Sequence, residues 1–385
     1  MMLNKKYFNI KNLNNFNKIL LNNQTFIDNN DNNLKLNNIL NKYKNYINKI
    51  NLNNWNKYKI YTFNYEYVYN VKNNLSLVKY KPISRSYFKL CELVNDCIEL
   101  KNKKMYFCFL AESPGGFIDY IIKSRKHYLF KDEYYTISLL SNNSSIPNFK
   151  NLNEKYNNVN ILLGYDNTGN LCNIENIKYL KNKLNVDFVT ADGGFDFTNN
   201  YEEQENNIYK LLFCEIITAL SILNKNGYFI LKVFDLYSIY SINLVYLLSL
   251  YFENIKITKP HLSKPANSEK YIICLNFKGI NNNELELFYN MIIKNKKINL
   301  DIPKEFILFI TNVNLYYTIL QISNILHTLI LYQLEINYFY RIFINFKQFI
   351  FSIIWCIKYN QIINYDLMFF KLNYRKKIFK LLFSN

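Results

Sequence analysis

Charged residues interrupt otherwise apolar stretches of this chain and could do chemistry there. Lys232 lies within Phe-Ile-Leu-Lys-Val-Phe, and Asp192 directly follows a run of apolar residues. A lysine in a buried strand needs an opening to solvent or a carboxylate partner, because an unpaired charge is costly to bury. Asp192 is the obvious partner, and Glu269 stands just before a further apolar run. Each of these residues would also be ordinary at a solvated strand end or in a loop.

A turn with two glycines follows an aromatic-rich apolar run at 104–110. Beyond the turn, Phe117, Tyr120 and Ile121 recur at helical spacing, so the sequence predicts a strand, a corner at Pro114-Gly115-Gly116 and a helix. Glycine lets a ligand approach the backbone closely, and the first N–H groups of a helix attract anions. The corner suits a nucleotide-like ligand, although Pro-Gly-Gly also serves as a plain turn.

Apolar runs alternate with helical patterns between about residues 80 and 280. Further strands are predicted at 134–140, 158–163, 187–191, 227–234 and 271–277, and helices at 174–184, 201–223 and 236–252. This alternation predicts an α/β fold, with a parallel sheet covered by helices on both faces. Ligands of such sheets bind beyond the carboxyl ends of the strands. The glycine turn, Asp166, Asp192 and Lys232 should therefore converge in one crevice.

Both ends of the chain lie outside this pattern. Residues 1–60 are rich in Asn and Lys and predict a poorly ordered arm or a few loose helices, residues 61–280 hold the sheet domain, and residues 281–385 predict a helical extension. The stretch 306–334 lacks charged residues and could span a membrane by length. Polar residues that recur there every three or four positions favour an amphipathic helix; they are Thr318, Gln321, Asn324 and Thr328.

The composition favours a polyanionic partner. Lys and Arg outnumber Asp and Glu by 47 to 29, which gives a formal net charge of +18. This surplus indicates nucleic acid before a membrane surface. Seven cysteines without a C-x-x-C pair, beside three histidines, predict neither a disulfide framework nor a metal site and favour a reducing compartment. The first fifteen residues lack the apolar core of a secretory signal, so we expect the cytoplasm, with the nucleus left open.

Five motifs resemble, in their order, those of the FtsJ-like RNA 2′-O-methyltransferases. They are Ser-Arg-Ser-Tyr-Phe-Lys-Leu at 84–90, Ser-Pro-Gly-Gly-Phe at 113–117, Ala-Asp-Gly-Gly-Phe-Asp-Phe at 191–197, Phe-Ile-Leu-Lys-Val-Phe at 229–234 and Lys-Pro-Ala-Asn-Ser-Glu-Lys-Tyr at 264–271. The cap-methylating branch of eukaryotes and large DNA viruses is most similar, because Gln204-Glu205 follows the third motif. The resemblance covers roughly residues 80–280 and implies a Rossmann-like methyltransferase sheet.

The resemblance also implies a site and a cofactor. The catalytic residues would be Lys89, Asp192, Lys232 and Glu269. The cofactor, S-adenosylmethionine, would be bound by Ser113, Pro114, Gly115, Gly116, Phe117, Asp166, Asn167 and Asp192. Lys232 would help to remove the proton of a ribose hydroxyl, but the sequence leaves open whether it is neutral enough to do so. Two departures from the family concern the cofactor: Phe109 and Ala111 stand where many relatives have an acid and a glycine, and Ser141 follows the second strand where bacterial relatives place an acid.

The resemblance implies methyl transfer to the 2′-hydroxyl of the first transcribed nucleotide of capped mRNA. Ribosomal or transfer RNA is the alternative substrate, and a non-catalytic RNA-binding subunit of a capping complex is the alternative to an enzyme. Partners would be capped mRNA and, through residues 281–385, other capping or transcription proteins, but no membrane.

Overall fold

The computed structural model describes residues 5–11, 31–70, 75–127, 131–140, 148–194 and 204–366. Within them, helices cover both faces of a sheet of eight strands. The strands are β1 Phe8–Lys11, β2 Tyr106–Leu110, β3 Glu133–Ile137, β4 Val159–Leu162, β5 Val186–Ala191, β6 Leu223–Val233, β7 Phe252–Thr258 and β8 Lys270–Phe277. The helices are α1 Asp31–Ile47, α2 Leu52–Tyr58, α3 Ser86–Cys97, α4 Gly116–Arg125, α5 Lys150–Lys155, α6 Ile174–Lys183, α7 Gln204–Ile222, α8 Ile239–Tyr251, α9 Asn282–Ile293, α10 Lys304–Gln333 and α11 Tyr338–Lys358.

The sheet is mixed, with the strand order β1-β7-β8-β6-β5-β2-β3-β4. Neighbouring strands from β4 to β6 are parallel, as predicted for strands that are joined through helices. At the other edge β8, β7 and β1 are each antiparallel to their neighbours, so the prediction of a parallel sheet is wrong there. Strand β7 was not predicted, because it follows α8 with no glycine or proline between them. Without β7, the sequence does not indicate that β8 returns beside β6.

The reversed direction of β8 determines where its first residue lies. Lys232 of β6 pairs with Tyr271 of β8, and Val233 pairs with Lys270. The beginning of β8 therefore lies beside the end of β6, at the edge of the sheet where β2 and β5 also end. The connection 259–269, which joins β7 to β8, reaches this same edge.

Alternate strand residues face two hydrophobic cores. In β2, Phe107 and Phe109 belong to a core with residues of α3, α4 and α11. Cys108 and Leu110 belong to a core on the other face, with residues of α6, α7 and α8. This period of two is that of a strand buried on both sides, and it confirms the predicted cover of helices on both faces.

The ends of the chain add to both the sheet and the helical layers. From the predicted arm, β1 pairs with β7 and α1 packs against α10. The described part of 281–385 consists mainly of α9, α10 and α11, which confirms the predicted helical extension. Residues 1–4 and 12–30 of the arm, and 367–385 of the extension, lie outside the described residues. The division into 1–60, 61–280 and 281–385 stays a prediction.

Helix α10 contains the predicted polar residues, but they face the protein, while Leu308 and Ile319 on the same helix are exposed, so the prediction of an amphipathic helix is wrong. Thr318, Gln321 and Thr328 are buried. Gln321 donates to the carbonyl of Ala266 at 2.9 Å, and Thr318 shares a hydrogen bond of 2.6 Å with the hydroxyl of Tyr237. Buried polar groups need such partners, and α10 finds them in the sheet domain.

Helices α10 and α11 are long and apolar enough to cross a membrane, judged by length and composition alone. About 44% of the most apolar stretch of α10 is buried inside the protein, and 33% of that of α11. A core helix of a soluble protein passes the same test, so these two helices are weak evidence for a membrane span.

Candidate active site

The ends of β2 and β5 bring the glycine turn next to Asp192. The backbone N–H of Asp192 donates to the carbonyl of Leu110 at 3.2 Å, which continues the pairing of the two strands. A Cβ atom at Gly193 would lie 3.1 Å from the Cβ of Ala111. The two turns therefore lie side by side, at the edge of the sheet where ligands of α/β folds bind.

Lys232 and Asp192 form a largely buried ion pair. The Nζ of Lys232 lies 3.2 Å from Oδ1 of Asp192 and donates to the backbone carbonyl of Asp192 at 2.6 Å. The hydroxyl of Tyr271 donates to the same Oδ1 at 3.1 Å. A Cβ atom at Gly194 would lie 3.3 Å from this Nζ, so the absence of a side chain there leaves the amine its room.

The electrostatic surroundings of Lys232 keep its amine protonated in the protein without ligands. Burial lowers the pKa of Lys232, but the negative charges of Asp192 and Glu269 act against it, and the net result is a pKa above the ordinary value of a lysine. The sequence left this balance open. In the structure the carboxylates outweigh the desolvation, so Lys232 is an ammonium at neutral pH.

A second ion pair joins Lys89 to Glu269. Lys89 projects from α3, and its Nζ lies 2.7 Å from Oε2 of Glu269, the residue just before β8. Burial raises the pKa of Glu269, but the nearby lysines, with Lys89 the strongest, lower it to about 2. The other oxygen, Oε1, is buried and has no hydrogen-bond partner among the described residues. It is therefore able to accept a hydrogen bond from a substrate.

Glu92 ties the elements that carry Lys89 and Glu269 together. Glu92 lies on α3, one turn beyond Lys89, and its carboxylate accepts the backbone N–H groups of His261 and Leu262 at 2.8 and 2.9 Å. Both of these N–H groups belong to the connection 259–269. The indole of Trp355 on α11 donates to Glu92 at 3.1 Å, and Lys5 pairs with it at 3.1 Å.

The side chain of Lys259 holds the connection 259–269 in shape. Its Nζ donates to the hydroxyl of Ser263 at 3.0 Å, to the carbonyl of Asn267 at 2.8 Å and to the carbonyl of Glu269 at 2.8 Å. Burial lowers the pKa of Lys259 well below the ordinary value. Lys259 is not among the residues predicted from the sequence, because nothing in the local pattern Thr-Lys-Pro distinguishes it from a solvated lysine.

The glycine turn is shaped largely by packing within the protein. Ser113 and Pro114 are joined by a cis peptide bond, and Gly115 has a φ of 105°, a conformation that favours glycine. A side chain at Gly116 would collide with the hydroxyls of Ser84 and Ser86 at the start of α3. Phe117 is fully buried, and its backbone N–H donates to Glu112.

Two buried carboxyl groups that the sequence analysis did not single out lie beside this turn. Glu112 accepts the N–H of Phe117 at 2.6 Å through Oε1, while its Oε2 has no partner among the described residues. Neither oxygen of Glu215 on α7 makes a hydrogen bond of good geometry with the described residues. The nearby backbone of Gly193 lowers the pKa of Glu215 somewhat. Burial nevertheless raises the pKa of Glu215 to about 8 and that of Glu112 well above its usual range. An acid inside the apolar run of α7 was the available signal for Glu215.

The comparison with protein families identifies this fold. The model of the FtsJ-like methyltransferases matches residues 82–277. The chain belongs to the FtsJ-like methyltransferase family. The matched segment contains all four residues of the two ion pairs, and it agrees with the extent of the resemblance predicted from the motifs.

Relatives of this FtsJ-like methyltransferase are named for cap methylation. The chain is 36% identical over 180 residues to the mouse protein named cap-specific mRNA (nucleoside-2′-O-)-methyltransferase 2, a match that covers 44% of this chain and 24% of that protein. It is 33% identical over 224 residues to the human protein named cap-specific mRNA (nucleoside-2′-O-)-methyltransferase 1, covering 53% and 26%. The chain therefore spans about a quarter of the length of these relatives.

Solved structures show weaker similarity. A Plasmodium falciparum protein described as a ribosomal RNA methyltransferase matches with a TM-score of 0.38 and 23% identity, over 51% of this chain and 99% of the other. A similarity of this size does not bear on the substrate.

Asp166 and Asn167 lie apart from the two ion pairs of this FtsJ-like methyltransferase. They follow β4, three strands away from β5, which is a distance of about 14 Å at the usual strand spacing. Asp166 is exposed, and its carboxylate accepts the N–H of Thr168 at 3.0 Å and the side-chain amide of Asn173 at 2.6 Å. These hydrogen bonds lower the pKa of Asp166. Its assignment to the cofactor stays a prediction.

The end of the third motif, 195–197, and Ser141 lie outside the described residues. All seven cysteines are free thiols. The described ranges hold no group of three or more His, Cys, Asp or Glu residues that could bind a metal ion.

Proposed function

We propose that this chain is an S-adenosylmethionine-dependent RNA 2′-O-methyltransferase that acts on the first transcribed nucleotide of capped mRNA. The proposal rests on two buried ion pairs, Lys89–Glu269 and Lys232–Asp192. Both lie where the parallel strands end, in a domain of the FtsJ-like family. The choice of a cap as substrate is supported by the names of the relatives.

The residues of the site fit a cationic cofactor. Asp192 directly precedes Gly193, and Glu215 packs against this glycine. Burial and the negative charge of Asp192 raise the pKa values of Glu112 and Glu215, while Lys232 lowers them. A cation bound beside these groups would stabilise their ionised forms and would itself be stabilised by them. An oxygen of Glu112 lacks a partner among the described residues. S-adenosylmethionine, when bound, would supply a methyl group activated by a sulfonium. The turn 113–117, Glu112 and Asp192 would hold its positively charged end, and Asp166 and Asn167 its adenosine end.

Lys232 is the residue that would handle the proton of the ribose hydroxyl. A hydroxyl is a poor nucleophile near neutral pH, so its proton must leave as the oxygen attacks. Lys232 cannot accept it while Asp192 keeps the amine charged. The positive charge of a cofactor bound beside Asp192 would offset the negative charge of Asp192. It would therefore lower the pKa of Lys232, since like charges disfavour each other. Lys232 thus becomes a base only when the site is loaded.

Lys89 and Glu269 would orient the ribose. The unpaired Oε1 of Glu269 can accept a hydrogen bond from the hydroxyl, while Lys89 fixes the carboxylate through Oε2. The pKa of about 2 makes Glu269 a poor base, because it binds a proton only weakly near pH 7. Its role is therefore to position the hydroxyl and not to deprotonate it.

Methyl transfer from labelled S-adenosylmethionine to a short RNA tests the proposal. The full chain and its Lys232→Ala variant are compared on capped and uncapped RNA of one sequence. Label on the capped RNA alone, lost in the variant, is the expected result. Label on both RNAs would indicate that the substrate is ribosomal or transfer RNA. No label on either RNA would indicate a non-catalytic RNA-binding subunit. Partners docked on 281–385 and a cytoplasmic location stay predictions.

A further inference from the structure

A cavity of 480 Å³ opens next to the two ion pairs. Its walls come from α1 and α2, from α10 and from residues 264–268, which directly precede Glu269. Phe234 lines it too, and the ring of Phe234 lies 5.7 Å from the Nζ of Lys232. A molecule in this cavity would therefore be a direct neighbour of the reacting ribose.

The lining of the cavity is basic. It contains Lys44, Lys59 and Lys264 and, among the described residues that form it, no carboxylate. An adjoining cavity of 340 Å³ shares residues 265, 267 and 268 and is lined by Lys270 and Lys347, again without an acid in the described chain. Asp235 forms ion pairs with Lys44 at 3.2 Å and with Lys270 at 3.7 Å, so two lysines share one carboxylate. Lys264 also has an acid nearby, because its charge and that of Arg85 act against the burial that raises the pKa of Glu66. The lysines that line the two cavities still outnumber these acids, which favours an anionic ligand.

The cavity also offers a surface for a nucleobase. Trp55 and Phe234 line it beside the apolar side chains of Ile47, Ile50 and Leu52. Unpaired bases of RNA are commonly held against aromatic rings, while lysines contact the phosphates. A volume of 480 Å³ also falls in the range of small-ligand sites.

We propose that this cavity binds a nucleotide of the RNA substrate that neighbours the methylated ribose, with its base on the Trp55 side and its phosphates toward Lys59 and Lys264. The inference rests on the proposed function, because it requires an RNA at the two ion pairs. Nine of the fifteen lining residues lie outside the family match at 82–277, in the segment 44–59 and in α10. Parts of the chain beyond the family domain would thus select the RNA. The nucleotide is either that of the cap or one of the transcript.

Leu52 allows a sharp test, because its side chain is 65% exposed at the rim of the cavity. Leu52→Glu adds a negative charge there, and Leu52→Lys adds a positive one at the same place. Leu52 is the first residue of α2, where a glutamate is favourable to the helix, so loss of folding is not expected. Binding of a 3′-labelled ten-nucleotide RNA to each full-length variant is measured by fluorescence anisotropy, with a capped and a triphosphate-ended form of one sequence.

We expect Leu52→Glu to bind the capped RNA about tenfold more weakly than Leu52→Lys does, because the two variants differ by two charges near a phosphate. A difference confined to the capped RNA assigns the cavity to the cap nucleotide, and a difference on both RNAs assigns it to the transcript. Equal binding by the two variants on both RNAs, or no binding by the wild type, would overturn the proposal. A wild type that binds RNA but transfers no methyl group would refute the proposed function alone, since the binding comparison still decides the cavity.

Discussion

Replacing Glu215 by glutamine should make the protein more stable above neutral pH and leave it nearly unchanged at pH 5. Burial raises the pKa of Glu215 to about 8 from an ordinary value of 4.5. Between these values the unfolded chain has lost the proton that the folded chain still holds, so stability falls as pH rises. A tenfold change in proton affinity is worth about 1.4 kcal/mol, which puts the loss from this one group at about 4 to 5 kcal/mol by pH 8. Glutamine keeps the shape and does not ionise.

Urea unfolding of the wild type and Glu215→Gln at several pH values between 5 and 8.5 gives the comparison. The free energies of unfolding should lie close together at pH 5 and separate by about 1 kcal/mol or more for each further pH unit up to about 8. Glu154→Gln, the same change at an exposed position on α5, is the control and should show no such separation. A stability difference that is the same at pH 5 and pH 8 would refute the argument that Glu215 is held as a buried acid.

Three further predictions concern the ion pairs and their support. Lys232→Arg should lose methyl transfer by about a thousandfold or more at every pH, and the wild-type rate should rise with pH, because the proton must leave Lys232 first; an active arginine variant would show that charge alone suffices. Glu269→Gln should lower the free energy of unfolding by up to about 3 kcal/mol at pH 7 and by almost nothing near pH 2. The ionised carboxylate stabilises the folded state, and this contribution is lost as the pH falls toward the folded-state pKa of about 2. Unfolding measured at a series of acid pH values tests this. Glu92→Gln should cost about 2 to 4 kcal/mol and reduce kcat more than it raises KM, since Glu92 holds the elements of Lys89 and Glu269 together; an unchanged kcat in a destabilised variant would limit Glu92 to a structural role.

The sequence was sufficient for the residues whose type conflicts with their surroundings. A lysine within Phe-Ile-Leu-Lys-Val-Phe needs a carboxylate partner if it is buried, and an aspartate after a neighbouring strand was the predicted partner. The structure confirms this ion pair between Lys232 and Asp192. The glycine turn was placed correctly between β2 and α4. Its glycines, however, face the protein: Gly116 makes room for Ser84 and Ser86, a contact between distant segments that no local pattern reveals.

What the sequence could not give depends on chain direction and on long-range contacts. The position of Glu269 beside Lys232 follows from the antiparallel return of β8, and that in turn follows from β7, which no turn residue announced. The balance that keeps Lys232 charged depends on distances to two carboxylates. The polar stripe of α10 was visible, but only the partners of Gln321 and Thr318 show that it faces inward.

The elements outside the family match support the candidate active site indirectly, through Glu92. Lys89 and Glu269 come from separate segments, α3 and the connection 259–269, and the carboxylate of Glu92 fastens one to the other. That carboxylate is buried, and its remaining partners are Lys5 and Trp355, from the two ends of the chain. Burying the Glu92 carboxylate without the cation Lys5 or the donor Trp355 costs free energy. Loss of either residue would therefore weaken the contact of Glu92 with the connection 259–269. The geometry of the Lys89–Glu269 ion pair therefore depends on residues that lie on both sides of the segment matched by the family, 82–277.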